Sequence, residues 1–159
     1  MTDPIVRLMT EQDRVTVVEL LADSDPWKRL GYRAKDWNSY FLPLSQGRDS
    51  FVMEDNGKVS GIAVVRQKFL LGDYLELFGM AAWARGKGLG RGLLAHIETL
   101  VFARTQNLFA CVSDFNEHGR HFYEKQGYQE IGPMPNLLIQ GSAEILLRKT
   151  SGSARINKN

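Results

Sequence analysis

The sequence has few residues that bind metals or form cross-links. Its 159 residues include a single cysteine, Cys111, and three histidines. One cysteine excludes an intramolecular disulfide framework and any site built from several thiolates. The histidines (His96, His118 and His121) have no carboxylate or cysteine at metal-ligand spacing on a shared face, so no metal centre is expected. Cys111 lies in an apolar segment, which favours a packed thiol over a nucleophile.

The sequence also lacks a long apolar run and an excess of charge of one sign. No segment approaches the roughly 18 apolar residues of a membrane-spanning helix, and the first ten residues do not have the pattern of a secretory signal. The 20 basic and 18 acidic residues leave a net charge of +2. That balance argues against nucleic-acid binding as the main function but permits a local basic pocket. We expect a cytoplasmic protein with neither a nucleic-acid nor a membrane partner.

The hydrophobic pattern predicts a single α+β domain over residues 1–150, followed by a disordered basic tail at 151–159. The predicted strands cover residues 5–9, 50–54, 58–69, 74–82, 108–112, 128–132 and 143–148. The predicted helices cover a segment ending near residue 22, one or two short helices within 23–47, and residues 89–105 and 116–126.

Three local signals fix parts of this prediction. Asn56-Gly57 lies between two strand-like segments and predicts a tight hairpin, since both turn positions require positive φ. Thr10 followed by Asp13 has the spacing of a helix N-cap with an acidic first turn. Gly127 occupies the position that commonly ends a helix.

Residues 81–94, AAWARGKGLGRGLL, place four glycines between a predicted strand and a predicted helix. Glycine is favoured where backbone approaches a ligand closely, and a helix N-terminus offers unpaired N–H groups and a positive dipole end. Arg85, Lys87 and Arg91 add positive charge. The segment therefore predicts a binding site for phosphate groups.

Spacing distinguishes among the known phosphate-binding loops. The dinucleotide pattern G-x-G-x-x-G fails in both registers, because Arg91 or Leu93 would occupy the last glycine position. The nucleoside-triphosphate loop requires Gly-Lys followed by Ser or Thr, which the segment lacks. A nicotinamide-dependent oxidoreductase is therefore excluded, and the predicted antiparallel strands also argue against it.

The segment Arg85-Gly86-Lys87-Gly88-Leu89-Gly90 resembles the R/Q-x-x-G-x-G/A signature of the GNAT N-acetyltransferases. Residues 116–128, NEHGRHFYEKQGY, resemble the second conserved block of that family, and the resemblance covers about residues 50–149. The sequence departs from the family at Ala82-Trp83-Ala84, where many relatives have Pro-Glu-Tyr. This change alters the outer surface of the loop more than its amides.

The resemblance implies a mostly antiparallel sheet of six to seven strands, with helices on both faces and a splayed central strand pair. It further implies direct transfer of acetyl from acetyl-CoA, as co-substrate, to a primary amine in a ternary complex. A non-catalytic CoA-binding sensor or interaction module is the alternative, and a homodimer is a further expectation. The coenzyme-binding residues implied are Met80, Ala82, Arg85, Gly86, Lys87, Gly88, Leu89, Gly90, Arg91, Asn116 and Tyr123.

The catalytic residues implied are Met80, Tyr123 and Glu76. The Met80 N–H would bind the acetyl oxygen, and Tyr123 would stabilise the departing thiolate, unless it is an ordinary core aromatic. Glu76 would act as general base through water, because strand alternation places it on the same face as Met80. An exposed strand carboxylate is the alternative for Glu76, and Asp73 is less well placed.

The acceptor is not identified by the sequence. Residues 23–47 hold five aromatic residues (Trp27, Tyr32, Trp37, Tyr40 and Phe41) beside three aspartates (Asp23, Asp25 and Asp36). Aromatic faces and carboxylates suit a cationic amine. The favoured interpretation is that most of these rings pack the short helices onto the sheet.

Overall fold

The computed structural model describes residues 3–43 and 47–155. Within these residues the strands are β1 (Ile5–Leu8), β2 (Asp49–Asp55), β3 (Lys58–Phe69), β4 (Gly72–Met80), β5 (Asn107–Ser113), β6 (Gln129–Pro135) and β7 (Ala143–Thr150). The α-helices are α1 (Arg14–Ala22), α2 (Ala34–Tyr40), α3 (Leu89–Phe102) and α4 (Glu117–Lys125), with 3-10 turns at Glu11–Asp13 and Ala82–Ala84.

The strands form a mixed sheet in the order β1-β2-β3-β4-β5-β7-β6. The pairs β1–β2, β2–β3, β5–β7 and β6–β7 are antiparallel, whereas β4 and β5 run parallel. The predicted α+β class is therefore confirmed, with seven strands as the upper predicted number.

By its internal contacts the chain forms two compact units. The first contains the residues up to Val65 together with Leu77–His96, and the second contains Arg66–Glu76 together with the residues from Ile97 onward. The single domain expected over residues 1–150 stays a prediction. The disordered tail expected at 151–159 also stays a prediction, and its last four positions lie outside the described residues.

The core of the first unit forms between α1, α2 and the strands. Val17 and Leu21 of α1 are fully buried and belong to one apolar cluster with Ile62 of β3. Trp37 of α2 is 5% exposed and stacks on Tyr32 with ring centroids 5.3 Å apart. Trp37 also makes edge-to-face contacts with Trp27 and Tyr40. Packing therefore accounts for the position of Trp37, as the favoured interpretation predicted.

The local signals of the sequence are confirmed. Asn56 and Gly57 have φ values of 51° and 77° and connect β2 to β3. Gly127, with φ of 92°, follows the last turn of α4. The Thr10 N–H donates to Asp13 Oδ2 at 2.8 Å, as a capping arrangement requires.

Several element boundaries differ from the prediction, among them those of β4 and the end of α3. Strand β4 begins at Gly72 and ends at Met80, because Ala82 already starts a 3-10 turn. Helix α3 ends at Phe102 rather than at residue 105, since the N–H groups of Arg104 and Thr105 both donate to the Val101 carbonyl. The Arg104 guanidinium is also held by Asp73, 2.5 Å away.

Asp13 joins three segments of the first unit. It is 6% exposed and accepts two hydrogen bonds from the Arg7 guanidinium, at 2.8 and 2.9 Å. Arg7 also donates to Glu54 at 2.8 Å, so the network links β1, the first 3-10 turn and β2. The hydrogen bonds from Arg7 lower the pKa of Asp13 from 3.8 to about 2.

We predict that Asp13→Asn lowers the free energy of unfolding by about 2 kcal/mol at pH 7. A carboxylate with a depressed pKa contributes its full stability above its ordinary pKa of 3.8 and loses it as the pH falls through about 2. Urea unfolding between pH 7 and pH 2 should therefore show the two proteins converging in acid.

Glu11→Gln is the matched control, because Glu11 forms an exposed ion pair with Arg14 at 3.4 Å. It should change stability by less than about 0.5 kcal/mol. Equal losses in both variants would contradict the assigned role of Asp13.

Candidate active site

The chain reaches helix α3 through two left-handed glycines. After the Ala82–Ala84 turn, Gly86 and Gly88 have φ values of 75° and 77°, and α3 begins at Leu89. A residue with a Cβ is strained in this region of φ, so the turn requires glycine at both positions. A Cβ built on either residue would meet no atom within 4 Å. The restriction is therefore conformational, and the space beside the turn is open.

The turn presents the first amides of α3. The Gly92 N–H donates to the Gly88 carbonyl at 3.1 Å and forms the first hydrogen bond of the helix. The N–H groups of Leu89, Gly90 and Arg91 precede it, so the helix offers them no carbonyl. Free amides and the positive end of the helix dipole together favour an anion here.

Cationic side chains surround the turn. Arg85, Lys87 and Arg91 are exposed, and the Arg85 guanidinium lies 3.5 Å from the Met80 carbonyl oxygen. The ammonium groups of Lys58 and Lys87 lie 4.5 and 5.6 Å from the ring centroid of Trp83. The predicted phosphate-binding segment is thus an exposed, positively charged strand-to-helix turn.

The end of β4 directs its amides in alternating directions. The Ala81 N–H donates to the Ser60 carbonyl of β3 at 2.9 Å. Because successive N–H groups of an extended chain point to opposite edges, the Met80 N–H is directed away from β3. The parallel pairing with β5 runs only from Asp73 to Leu75, so Met80 lies beyond its last pair.

In the second unit, Asn116 caps helix α4. Its Oδ1 accepts a hydrogen bond from the Gly119 N–H at 3.0 Å, and its φ and ψ of −85° and 73° lie outside the helical region. The prediction that the helix includes Asn116 is therefore wrong by one residue. The cap occupies the side-chain oxygen of Asn116, so the amide NH₂ group is the donor that this side chain retains.

Tyr123 lies on α4 and is 8% exposed. Its ring contacts Tyr128 and Phe122 edge-to-face, with centroids 5.3 and 5.4 Å apart. Burial raises the pKa of Tyr123, and the nearby Cys111 adds to the effect. The phenol therefore keeps its proton at neutral pH and acts as a hydrogen-bond donor.

Glu76 and Met80 share a face of β4, as strand alternation predicted. Both are half-buried, whereas Asp73 and Leu77 on the other face are buried. The Glu76 carboxylate accepts a hydrogen bond from Arg66 Nε at 2.8 Å, so it is not a simple solvated carboxylate. Asp73 is 3% exposed and paired with Arg104, which removes it as a competing base.

A group of interacting side chains on β4, β5 and β7 is not predicted by the sequence. Tyr74 and the Cys111 thiol influence each other's pKa, and burial raises the pKa of both groups. Glu144 is 8% exposed and accepts a hydrogen bond from the Ser113 hydroxyl at 2.6 Å. No sequence motif links residues this far apart, since their contact depends on the strand order.

Two kinds of feature are absent from the described part of the chain. No group of three or more histidine, cysteine, aspartate or glutamate residues there is arranged to hold a metal ion. None of the helices in residues 3–43 and 47–155 has the length and apolar character needed to span a membrane.

Comparison with protein families gives one match that covers most of the chain. A family model described as the acetyltransferase (GNAT) family matches residues 14–128. The matched region includes the glycine turn, Asn116 and Tyr123.

A curated relative from Pseudomonas phage PaMx11, named 5-NmdU N-acetyltransferase, is 33% identical over 82 residues. The match covers 51% of this chain and 57% of the relative, so the chain spans just over half the length of that relative.

Solved structures share the fold. The ribosomal-protein-S18-alanine N-acetyltransferase of Escherichia coli matches with a TM-score of 0.79 and 18% identity over 99% of each chain. An aminoglycoside 6'-N-acetyltransferase complexed with coenzyme A matches with a TM-score of 0.73 and 18% identity, over 92% of this chain and 96% of that one. At this identity the likeness establishes the architecture and confirms the predicted fold.

We predict opposite effects for alanine at two glycines four residues apart. Gly88→Ala should lower the free energy of unfolding by about 1–2 kcal/mol, because φ of 77° is unfavourable for alanine. Gly92→Ala lies within α3, where the new methyl group would meet Met53 Cε at an ordinary 3.5 Å. It should be neutral or stabilising by up to about 1 kcal/mol. Urea denaturation of both variants tests this, and a neutral Gly88→Ala would contradict the conformational argument.

Proposed function

This chain belongs to the acetyltransferase (GNAT) family, and we propose that it transfers the acetyl group of acetyl-CoA to a primary amine in a ternary complex. One observation carries the proposal. The glycine turn at residues 85–91 presents the first amides of α3 among exposed cationic side chains. Such a turn suits a diphosphate, and acetyl-CoA contains one between its adenosine and pantetheine parts.

The residues of the turn fit this substrate. The open space beside Gly86 and Gly88 admits a ligand close to the backbone. We propose that the N–H groups between Arg85 and Arg91 bind the pyrophosphate, with Lys87 adding charge at the rim. Asn116 is proposed to contact the pantetheine through its amide NH₂ group, since its oxygen caps α4.

The acetyl carbonyl needs a donor where negative charge develops. We propose that the Met80 N–H supplies it and that the Ala82 N–H, two residues further along, binds the pantetheine. A fixed donor of this kind lowers a barrier by about 2.7–4 kcal/mol. The support is the alternation at Ala81, which directs the Met80 amide to the edge of β4 opposite β3.

Acetyl transfer requires two further groups on the protein. The amine lone pair attacks the acetyl carbon, the carbon–sulfur bond breaks with its electron pair going to sulfur, and the amine nitrogen gives up a proton. Tyr123 is proposed to donate a hydrogen bond to the departing thiolate, because its raised pKa keeps the phenol protonated. Glu76 is predicted from the sequence as a base acting through water, and this role stays a prediction. One of its carboxylate oxygens accepts a hydrogen bond from Arg66.

The acceptor is proposed to be a small-molecule amine or a peptide N-terminus. The proteins compared above are named for 5-NmdU, a ribosomal-protein alanine and an aminoglycoside. These names define the compounds to test first. The cytoplasmic location, the homodimer and the lack of a nucleic-acid partner stay predictions.

The direct test is release of free CoA thiol from acetyl-CoA in the presence of spermidine, an aminoglycoside, an alanine-initiated peptide or 5-NmdU. We expect at least one amine to raise thiol release and to yield an acetylated product by mass spectrometry. Tight acetyl-CoA binding without amine-dependent release would instead support the non-catalytic module.

In the same assay, Tyr123→Phe should lower kcat by about 10- to 100-fold, the worth of one hydrogen bond to a charged atom. The dissociation constant for acetyl-CoA, measured by calorimetry, should change much less.

Tyr128→Phe is the matched control, because the Tyr128 hydroxyl donates to Glu98 at 2.8 Å. It should cost about 1 kcal/mol of stability and leave kcat nearly unchanged. Equal kcat values for Tyr123→Phe and the wild type would remove Tyr123 from the mechanism.

A further inference from the structure

Glu144 is a buried carboxylate without a cationic partner. It lies on β7 directly opposite Ser113 of β5, and its side chain accepts the Ser113 hydroxyl at 2.6 Å. Within residues 3–43 and 47–155, no Lys or Arg nitrogen forms an ion pair with it. Burying a carboxylate without a counter-charge destabilises a fold, and such groups are concentrated at functional sites.

Glu144 shares its face of the sheet with three other polar groups. Residues two apart on a strand point to the same face, so Cys111 and Ser113 lie together on β5, with Glu144 opposite Ser113. Tyr74 of β4 pairs with Phe109, two residues before Cys111, and contributes to the pKa of the Cys111 thiol. The carboxylate therefore belongs to a cluster that spans three neighbouring strands.

The charged and titratable groups facing this cluster come from each neighbouring element. Burial raises the pKa of Tyr74, and the charges of Glu76 and Glu144 raise it further. Burial and the charge of Glu144 also raise the pKa of Cys111. The pKa of Tyr123 on α4 is raised by burial and, to a smaller extent, by Cys111. One member of the cluster, Cys111, is thus electrostatically coupled to the residue proposed above to stabilise the leaving thiolate.

Glu144 and Glu76, which faces the cluster, differ in their partners. Glu76 is held by the Arg66 guanidinium at 2.8 Å, whereas Glu144 has the neutral Ser113 hydroxyl. Burial raises the pKa of Glu144, and the charge of Asp114 raises it further, while the hydrogen bond from Ser113 opposes both effects. A base is more effective when its pKa lies closer to the working pH.

We propose that Glu144, oriented by Ser113, accepts the proton that the acceptor amine releases during acetyl transfer. The inference rests on the proposed function and assigns one of its steps. The cationic acceptor first passes one N–H proton to a Glu144 carboxylate oxygen, which later returns it to solvent. The freed lone pair then forms the carbon–nitrogen bond as the carbon–sulfur bond breaks, and the second nitrogen proton goes to the departing thiolate. Ser113 is a positioning residue, because it acts through Glu144.

Two small amines separate this role from a structural one. Ethylamine is protonated at neutral pH and needs a base, whereas methoxyamine is weakly basic and already unprotonated. Both are small enough to be used at high concentration without a specific acceptor pocket. Glu144→Gln should slow thiol release with ethylamine by about 100-fold or more, the range of general base catalysis. Release with methoxyamine should fall far less.

The pH profile gives a second readout. The wild-type rate with ethylamine should be level at higher pH and fall below the pKa of Glu144, which defines an acid limb. Glu144→Gln should lose this break and follow only the fraction of free amine, which declines steadily as the pH falls. Ser113→Ala should shift the limb to higher pH, because it removes the hydrogen bond that stabilises the charged carboxylate. Glu130 of β6 is a carboxylate paired with Arg120 at 2.8 Å. Glu130→Gln is therefore the control and should leave the rate and the pH profile unchanged.

Folding of the variant is checked independently. Since the folded-state pKa of Glu144 is raised, the wild type loses stability as the pH rises through that pKa. Glu144→Gln removes this loss, so its melting temperature at pH 8 should equal or exceed that of the wild type. A strongly lowered melting temperature together with equal loss of both amine activities would overturn the proton-transfer role in favour of a structural one.

The thiol-release measurements distinguish a failure of the Glu144 role from a failure of the proposed acetyl transfer. Full-rate ethylamine turnover by Glu144→Gln with the acid limb intact would overturn the role alone. Loss of the acid limb in Glu76→Gln but not in Glu144→Gln would assign the proton to Glu76 instead. No thiol release by the wild type with any amine would overturn both.

Discussion

The hydrogen bonding of strand β4 constrains the residues that follow it. Its parallel pairing with β5 stops at Leu75, whereas its bonding to β3 continues to the contact between Ala81 and Ser60. Some amides of β4, including the Met80 N–H, point toward the β5 edge but come after Leu75. They therefore lie beyond the last residue pair between β4 and β5. The chain then enters α3 through Gly88 and exposes a second set of amides. The backbone donors that the proposed function needs thus lie within one segment of chain.

The side chains of the second unit have complementary acid–base properties. Burial keeps Tyr123 protonated, so it donates hydrogen bonds, and burial also makes Glu144 a stronger base than an exposed carboxylate. An enzyme that transfers acetyl to an amine needs both kinds of group at neutral pH. The proposed proton transfer would account for the free-energy cost of burying Glu144 beside Ser113.

How far the sequence predicted these features depended on how local they are. The hairpin at Asn56-Gly57 and the turn through Gly86 were readable, because the conformation of each is set by its own residues. Helical periodicity does not define the first residue of a helix to within one position, so it could not show that Asn116 caps α4 instead of belonging to it. The contact of Ser113 with Glu144 could not be predicted, since the two residues are 31 positions apart and meet because β7 pairs with β5. Acetyl-CoA was predicted from the family resemblance, because the hydrophobic periodicity of the sequence does not identify a co-substrate.

The main-chain amides of the glycine turn are the groups proposed to bind the coenzyme. Titration of the ¹⁵N-labelled protein with acetyl-CoA, followed by two-dimensional NMR, tests it residue by residue. We predict large, saturable shifts for the amides of residues 86–91 and for Met80, and no comparable shifts with NADH. Amide shifts confined to other parts of the chain, or the same shifts with NADH, would contradict the account.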